Sequence, residues 1–304
     1  MPALLAIDWG TSSLRGVLLD ANCDVASQER TFARGILTVP AGGFPEVFRS
    51  CFGDWMRPDL LCLICGMAGS QQGWREAPYC PCPAGFEDVA NHLLWLQDPE
   101  AAALGRIAIV PGLQCDNDGV PDVMRGEETQ IFGALDLLGK TDTRVVLPGT
   151  HSKWTRVEHK RVMGFTTWMT GELYAMLRQH SILARSLPAE EPPHDAEAFA
   201  LGVATAMRGQ GLLHTAFSVR TLSLFKRLSS DALPSYLSGI VIGEELHSQT
   251  LVAGESVVLI GAPALTAHYE AALGQQGVSA ERVASHATWH GLHAIARTMQ
   301  HGKP

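Results

Sequence analysis

Short apolar runs alternate along this chain with segments whose apolar residues recur every three or four positions. The first run, residues 4–19, is broken only by a turn of small polar residues and predicts a two-stranded hairpin. Further strands are predicted at residues 60–65 and 107–110, and a last one at 256–260. Helices are predicted around residues 47–55, at 86–96, after Gly126, at 196–207 and on to 246, and then to about 273. This alternation is typical of an α/β fold.

A second hairpin near the middle of the chain repeats the first. Its strands are predicted at 144–147 and 153–157, and the turn between them, 148–152, again consists mainly of small and polar residues. Two such hairpins half a chain apart predict two related domains, residues 1–140 and 141–304, that face each other across a central cleft. A length of 304 residues suits two domains of ordinary size.

Composition narrows the class of protein. Hydrophobic residues make up 46% and charged residues 18%, with a mean hydropathy of +0.07, so a folded chain with sizeable cores is expected. The net charge of -8 argues against binding to nucleic acid or to an anionic membrane. No apolar stretch reaches the roughly 20 residues of a membrane span, and the N-terminus lacks a signal peptide's basic region. We therefore expect a cytoplasmic protein.

The cysteines predict neither a disulfide framework nor a metal site. There are seven of them, an odd number in a long chain. Cys62 and Cys65 lie in a predicted strand, where they point to opposite faces. Cys80 and Cys82 have no second pair at the spacing of a zinc site.

The turn of the first hairpin has the chemistry of a phosphate site. Gly10 allows close approach of the backbone to a ligand, and Arg15 supplies a fixed cation. Asp8 beside the turn can organise Mg²⁺ through water molecules. Hydroxyl and amide donors for phosphate oxygens come from Thr11, Ser12 and Ser13. The alternative is an ordinary hairpin whose aspartate caps a turn.

Three segments together resemble the motifs of a known superfamily. The pattern Asp8-x-Gly10-Thr11-Ser12-Ser13-x-Arg15, the hairpin at 147–152 and the run 259–263 resemble the phosphate-1, phosphate-2 and adenosine motifs of actin-like ATPases, which include sugar kinases. Segments 122–130 and 147–154 closely resemble the 2-dehydro-3-deoxygalactonokinases, which phosphorylate the 6-hydroxyl of a keto-deoxy sugar acid in galactonate breakdown. The resemblance covers nearly the whole chain.

The resemblance implies two actin-like, ribonuclease H-like domains and the cofactors ATP and Mg²⁺. It implies a small-molecule sugar acid as the partner, and it leaves a homo-oligomer open. Asp8 is then the metal residue, and Arg15 stabilises developing charge. Besides the first turn, the nucleotide-binding residues it implies are Gly149, Thr150, His151, Ser152, Gly261 and Ala262.

A glycine-rich segment at residues 66–74 resembles in position the substrate loop of glycerol and pentulose kinases. Polar side chains at Ser70, Gln71 and Gln72 are then expected to hydrogen-bond sugar hydroxyls, since an amide both donates and accepts. Trp74 either covers the apolar face of the sugar or packs in the core. The alternative for the whole segment is a solvated glycine-rich turn.

The resemblance places the catalytic base at the start of the helix after Gly126. Related kinases have an aspartate there, and the matching residue here is Glu127, with Glu128 beside it. Because glutamate is longer by a methylene, Glu128 and Asp122 stay open as alternatives. Two carboxylates in a first turn are also explained by the helix dipole alone.

Three cations near these motifs are candidates for anion contacts. Arg125 can pair with the substrate carboxylate through two parallel N–H groups, or it can pair with Glu128. Lys153 and His151 can meet phosphate or the sugar acid, although a hairpin lysine is often only solvated.

Two alternative functions remain at this point. The first is a kinase of the same fold that acts on another sugar acid or ketose. The second is a nucleotide-binding regulatory or assembly protein that uses the actin-like fold without phosphorylating a small molecule.

Overall fold

The computed structural model describes residues 4–25, 28–284 and 286–301. The strands are β1 Leu4–Trp9, β2 Leu14–Leu19, β3 Arg30–Phe32, β4 Leu61–Gly66, β5 Cys80–Pro81, β6 Leu94–Trp95, β7 Arg106–Ile109, β8 Leu113–Asn117, β9 Val120–Met124, β10 Thr143–Leu147, β11 Ser152–Glu158, β12 Arg161–Trp168, β13 Ser256–Ile260 and β14 Ser279–Val283. The helices are α1 Phe44–Phe52, α2 Phe86–Asn91, α3 Pro99–Ala102, α4 Glu127–Leu138, α5 Thr170–His180, α6 Ala196–Ala206, α7 Leu212–Thr215, α8 Ser218–Leu224, α9 Leu233–His247, α10 Pro263–Gly274 and α11 Ala287–His301.

The strands form three sheets. The first has the order β3-β2-β1-β4-β7-β6, the second β12-β11-β10-β13-β14, and the third, which is small, β5-β8-β9. Within the first sheet β1 runs antiparallel to β2 and parallel to β4, and β4 runs parallel to β7. In the second, β13 runs parallel to both β10 and β14. The predicted α/β class and both predicted hairpin turns are confirmed.

The contacts divide the chain into two compact units. The first unit consists of Met1–Thr143, Thr155–Thr166 and Ala284–Pro304, and the second of Arg144–Trp154 and Thr167–Val283. The chain thus returns to the first unit at its end. Domains with the boundaries 1–140 and 141–304 stay a prediction.

Each unit contains a pair of helices that meet through glycines. In the first unit α11 packs on α4, and a Cβ added at Gly133 would lie 1.7 Å from the carbonyl oxygen of Ala287. In the second unit α6 packs on α9, and a Cβ at Gly239 would lie 2.2 Å from the carbonyl oxygen of Phe199. No larger residue fits at these glycines unless the helices move apart.

Two predictions about elements are wrong. The helix expected over 86–96 ends at Asn91, because the next apolar residues, Leu94 and Trp95, pair with Ile109 and Ala108 at the sheet edge. The strand at 256–260 is not the last, since β14 follows it and pairs with it. Residues of β14 are largely exposed, so no apolar run marks this strand in the sequence.

Candidate active site

An ion pair near the turn of the β1–β2 hairpin forms the first part of the site. Asp8 and Arg15 are directly opposite in the antiparallel register, and Arg15 donates from Nε and Nη2 to Asp8 Oδ2 at 3.0 and 2.8 Å. Each side chain is 21% exposed. Asp8 Oδ1 faces Gly66, where an added Cβ would lie 3.0 Å from that oxygen. The pair therefore fixes one carboxylate oxygen and directs the other toward the end of β4.

Backbone hydrogen bonds hold the turn after Asp8 in place. The amide of Gly10 donates to the carbonyl of Ser13, and the carbonyls of Gly10 and Thr11 accept from the amides of Ile36 and Leu37. The three hydroxyl residues of the turn, Thr11, Ser12 and Ser13, are exposed. A loop held by its carbonyls, with its hydroxyls exposed, is suited to donate to phosphate oxygens.

Backbone at the end of β4 and backbone at the start of α4 meet beside Asp8. Gly66 and Gly126 have φ angles of +84° and +107°, which side chains rarely adopt. A Cβ at Gly126 would lie 3.2 Å from the Cα of Gly66. These two glycines bring the first turn of α4 to the strand ends of the first sheet.

The two adjacent glutamates of α4 have different environments. Glu127 is partly exposed, and its Oε2 accepts from the amide of Arg125 at 2.9 Å. Glu128 is fully buried, and its Oε2 accepts from the amide of Gly126 at 2.7 Å. Its Oε1 has no hydrogen-bond partner among the described residues. The two carboxyls thus differ in solvation.

Burial raises the pKa of Glu128 to about 8, and the charge of Glu127 adds to this rise. Hydrogen bonds to the carboxylate and the charge of Arg125 oppose it. Glu128 is therefore largely protonated at neutral pH and is a poor proton acceptor there. Asp122, the third candidate base, lies on β9, where it accepts from the amide of Val123.

We expect Glu128→Gln to flatten the dependence of stability on pH. The folded-state pKa lies above the ordinary value of 4.5, so the wild type loses stability as pH rises from about 4.5 through about 8. Between pH 5.5 and 7.5 this loss is roughly 2–3 kcal/mol. Urea unfolding of the wild type and of Glu128→Gln at both pH values measures it. Parallel profiles for wild type and Glu128→Gln would contradict the buried state of this carboxyl.

The Arg125 side chain makes one hydrogen bond within the described residues and lies over an aromatic ring. Its Nη2 donates to the carbonyl of Ala77 at 2.8 Å, and the guanidinium lies 4.3 Å from the ring centroid of Tyr79. A Cβ at Gly69 would lie 2.7 Å from its Nη1. Nε and Nη1 are buried, and within the described part of the chain neither has a hydrogen-bond partner. Such N–H groups are costly to bury unless an acceptor reaches them.

The glycine-rich segment 66–74 follows β4 as a compact turn. Its Ser70 donates from Oγ to the carbonyl of Met67, whereas Gln71 and Gln72 are exposed. Trp74 is half-buried against Trp9, Phe44 and Phe48, with ring centroids 5.6 to 6.4 Å apart. The packing alternative for Trp74 therefore has direct contacts, and sugar contacts by the segment stay a prediction.

The second unit carries the other predicted nucleotide motifs side by side. Because β10 and β13 are parallel neighbours, the turn 148–152 and the turn at Gly261 leave the same edge of the sheet. A Cβ at Gly261 would lie 3.5 Å from the carbonyl oxygen of Pro148. Thr150, His151 and Ala262 are exposed, and His151 pairs with Glu172 through Nε2.

The last residue of this turn and the residue after it are buried. Lys153 is only 5% exposed and donates from Nζ to Thr167 Oγ1 at 2.6 Å, so the solvated alternative for it is wrong. Ser152 is fully buried, and its hydroxyl lies 2.9 Å from that of Tyr269. Its side chain faces the interior of the unit, and nucleotide binding by Ser152 stays a prediction.

The sequence reasoning did not single out Glu245, the buried acid of α9. It is 1% exposed and hydrogen-bonds Trp154, Thr170 and Tyr269. Burial raises its pKa, and these hydrogen bonds oppose the rise. A signal was present, since an acid within an otherwise apolar helix is rarely buried unless it has partners.

The donor set near Asp8 fits only a metal ion that keeps most of its own waters. Among the described residues, no group of three or more His, Cys, Asp or Glu side chains could hold a metal ion. Asp8 offers one partly exposed carboxylate with Oδ1 turned away from Arg15. Mg²⁺ behaves in this way, because it dehydrates reluctantly and is shared with substrate phosphates.

The two α/β units, with their open sheets and hairpin turns, define the chain as an actin-like ATPase fold. A crystal structure of a hydroxyglutaryl-CoA dehydratase component from Acidaminococcus fermentans shares this fold, with 13% identity, 99% coverage of both chains and a TM-score of 0.52.

A family model described as 2-keto-3-deoxy-galactonokinase matches residues 8–295, and the chain belongs to this family. A Rhizobium meliloti (strain 1021) protein described as a probable 2-dehydro-3-deoxygalactonokinase is 36% identical, over 97% of this chain and 96% of its own. The Escherichia coli (strain K12) 2-dehydro-3-deoxygalactonokinase is 32% identical, over 97% of this chain and 98% of its own. A crystal structure from Sinorhizobium meliloti that bears the same enzyme name is 34% identical, covers 99% of both chains and has a TM-score of 0.87.

Membership of this family makes the chain a sugar-acid kinase and implies ATP as its co-substrate. Within the described ranges, no helix is both long and apolar enough to cross a membrane.

Proposed function

We propose that the chain transfers the terminal phosphoryl group of ATP to the 6-hydroxyl of 2-dehydro-3-deoxy-D-galactonate. The observation that carries the substrate class is the buried guanidinium of Arg125, whose Nε and Nη1 have no acceptor within the described residues. A sugar-acid carboxylate is planar and accepts two parallel N–H bonds. On a guanidinium, parallel N–H groups lie on Nη2 and one of its neighbours, so the carboxylate would satisfy Nε or Nη1 together with the second N–H of Nη2, next to segment 66–74 and the start of α4.

The geometry of each unit supports the remaining roles. In the first unit Asp8 would hold hydrated Mg²⁺, which supplies charge neutralisation at the phosphates, and Arg15 orients Asp8. Glu127 accepts the proton of the attacking hydroxyl, since Glu128 is largely protonated at neutral pH. Ser70, Gln71 and Gln72 contact sugar hydroxyls. Such transfer depends mainly on positioning and charge stabilisation.

In the second unit Gly149, Thr150 and His151 would contact phosphates, and Gly261 with Ala262 would contact the adenosine. The two turns leave adjacent parallel strands, which supports a shared ligand within this unit. Lys153 directly follows the turn 148–152 and is hydrogen-bonded to Thr167, so it would add a positive charge next to the phosphates.

The test of this function is product analysis across a panel of sugar acids and ketoses with ATP. We expect 2-dehydro-3-deoxy-D-galactonate to give the highest kcat/KM and a 6-phosphate product. A higher value for another sugar acid or ketose would assign a different substrate. If ADP formation does not rise with any of these compounds, the chain is a nucleotide-binding protein of another kind.

We expect Arg125→Lys to raise the KM for the sugar acid about 10- to 100-fold and to leave the KM for ATP unchanged. Lysine keeps the charge but cannot offer two parallel N–H groups. Steady-state kinetics measures this, and the matched comparison is an analogue with the carboxylate reduced to an alcohol. The variant and the wild type are expected to handle that analogue equally. An equal loss on both compounds would assign Arg125 to structure alone.

A further inference from the structure

A buried carboxylate in the second unit lies at the centre of a polar network. Glu245 Oε1 accepts from Trp154 Nε1 at 2.6 Å, and its Oε2 accepts from Tyr269 OH at 2.7 Å and from the Thr170 hydroxyl. Glu245 and Tyr269 are each 1% exposed. A buried acid with three donors from three different elements specifies how those elements meet. The donors come from β11, α5 and α10.

One arm of the network leads through Tyr269 to the phosphate-2 turn, residues 148–152. Since the Tyr269 hydroxyl donates to Glu245, it can only accept from the hydroxyl of Ser152, 2.9 Å away. The Ser152 oxygen in turn accepts from the amide of Gly149 at 3.4 Å. The directions of these bonds are therefore consistent from the carboxylate to the backbone of the turn.

A second arm reaches the same turn through α5. Thr170, which donates to Glu245, is the first residue of that helix. The amide of Glu172 donates to the carbonyl of Thr150 at 3.1 Å. A Cβ at Gly171 would lie 2.6 Å from the carbonyl oxygen of Gly149. The first turn of α5 thus touches the phosphate-2 turn directly, and Glu245 holds it there.

We propose that Glu245 is a positioning residue for nucleotide binding, which fixes the phosphate-2 turn through Tyr269 and Ser152 on one side and Thr170 on the other. This inference rests on the proposed function in taking that turn as a phosphate site. Glu245 touches no ligand itself. If the turn is already ordered before the ligand binds, less of the binding free energy is lost in ordering its amides. Loss of either arm of the network is therefore expected to weaken nucleotide binding.

The test compares two tyrosine variants of the second unit. Tyr269→Phe removes the hydroxyl that joins Glu245 to Ser152. Tyr236→Phe is the matched control, because that tyrosine is also buried, at 2% exposure, and its hydroxyl also lies 2.8 Å from a serine, Ser218. We expect Tyr269→Phe to raise the Kd of a non-hydrolysable ATP analogue about tenfold, and Tyr236→Phe to leave it unchanged.

Calorimetric titration of the full chain gives these constants, and thermal unfolding shows whether both variants lose similar stability. Thr170→Val is expected to act like Tyr269→Phe, while the KM for the sugar acid stays constant in both. Glu245→Gln is expected to show the largest rise, and if it does not fold, the two milder variants still decide. Unchanged Kd values for both Tyr269→Phe and Thr170→Val would overturn the inference.

Failure of the proposed function would give different experimental results from failure of this inference. A wild type that binds the ATP analogue without phosphorylating any sugar acid would refute the proposed reaction, and the binding constants of the variants would still decide the role of Glu245. A wild type that does not bind the analogue would overturn both.

Discussion

Glu127→Gln is expected to lower kcat about a thousandfold and to leave the affinity for ATP nearly unchanged. The amide has the size of the carboxylate, and its oxygen can still accept from the amide of Arg125, so the local structure is preserved. What is lost is the ability to take a proton from the sugar hydroxyl. Rapid-quench measurement of a single turnover separates this step from product release.

The neighbouring acids serve as controls for Glu127. Glu128→Gln and Asp122→Asn are expected to retain much more activity, because Glu128 is already largely protonated at neutral pH and Asp122 lies on β9 rather than on α4. Near-normal turnover of Glu127→Gln together with a large loss in either control would transfer the role of base to that residue.

Asp8→Asn is expected to lower kcat by a factor of about 100 to 1000 and to raise the Mg²⁺ concentration needed for half-maximal rate. Asparagine keeps the size of the side chain but removes the charge that holds Arg15 and, in the proposed function, a hydrated Mg²⁺. Initial rates over a Mg²⁺ titration at fixed ATP measure both effects.

The matched control for Asp8 is another arginine–aspartate pair of the first unit. Arg30 donates to both oxygens of Asp54 at 2.7 Å, so Asp54→Asn breaks a pair of the same chemistry on an exposed surface. We expect this variant to keep its activity and its Mg²⁺ dependence. An Asp8→Asn enzyme with the same Mg²⁺ requirement as wild type would remove Asp8 from the metal site.

The elements with clear apolar periodicity could be predicted from the sequence. The hairpin of β1 and β2, the buried strand β4 and the helix α4 were all expected close to their observed bounds. The β8–β9 hairpin was missed, because its strands are mostly solvent-facing and have no apolar run. Its turn carries a signal nonetheless: Asp118 and Gly119 both have positive φ, as an Asp-Gly hairpin turn requires.

The environment of a site residue was harder to predict than its presence. Neighbouring positions of a helix differ by about 100°, so the sequence places Glu127 and Glu128 on different faces without telling which one is buried. That depends on tertiary contacts, here the approach of Gly126 to Gly66. The burial of Ser152 and Lys153 likewise depends on partners, Tyr269 and Thr167, that are far away in the sequence.

The glycine contact between α4 and α11 links the position of the first turn of α4 to the sequence of α11. A Cβ at Gly291 would lie 1.9 Å from the carbonyl oxygen of Thr129, only two residues after Glu127. Even an alanine at this position would displace α4, and both glutamates of its first turn would move with it. The sequence of α11 is thus constrained by the position of Glu127, the proposed base, as well as by folding, although no residue of that helix has a predicted role in the reaction.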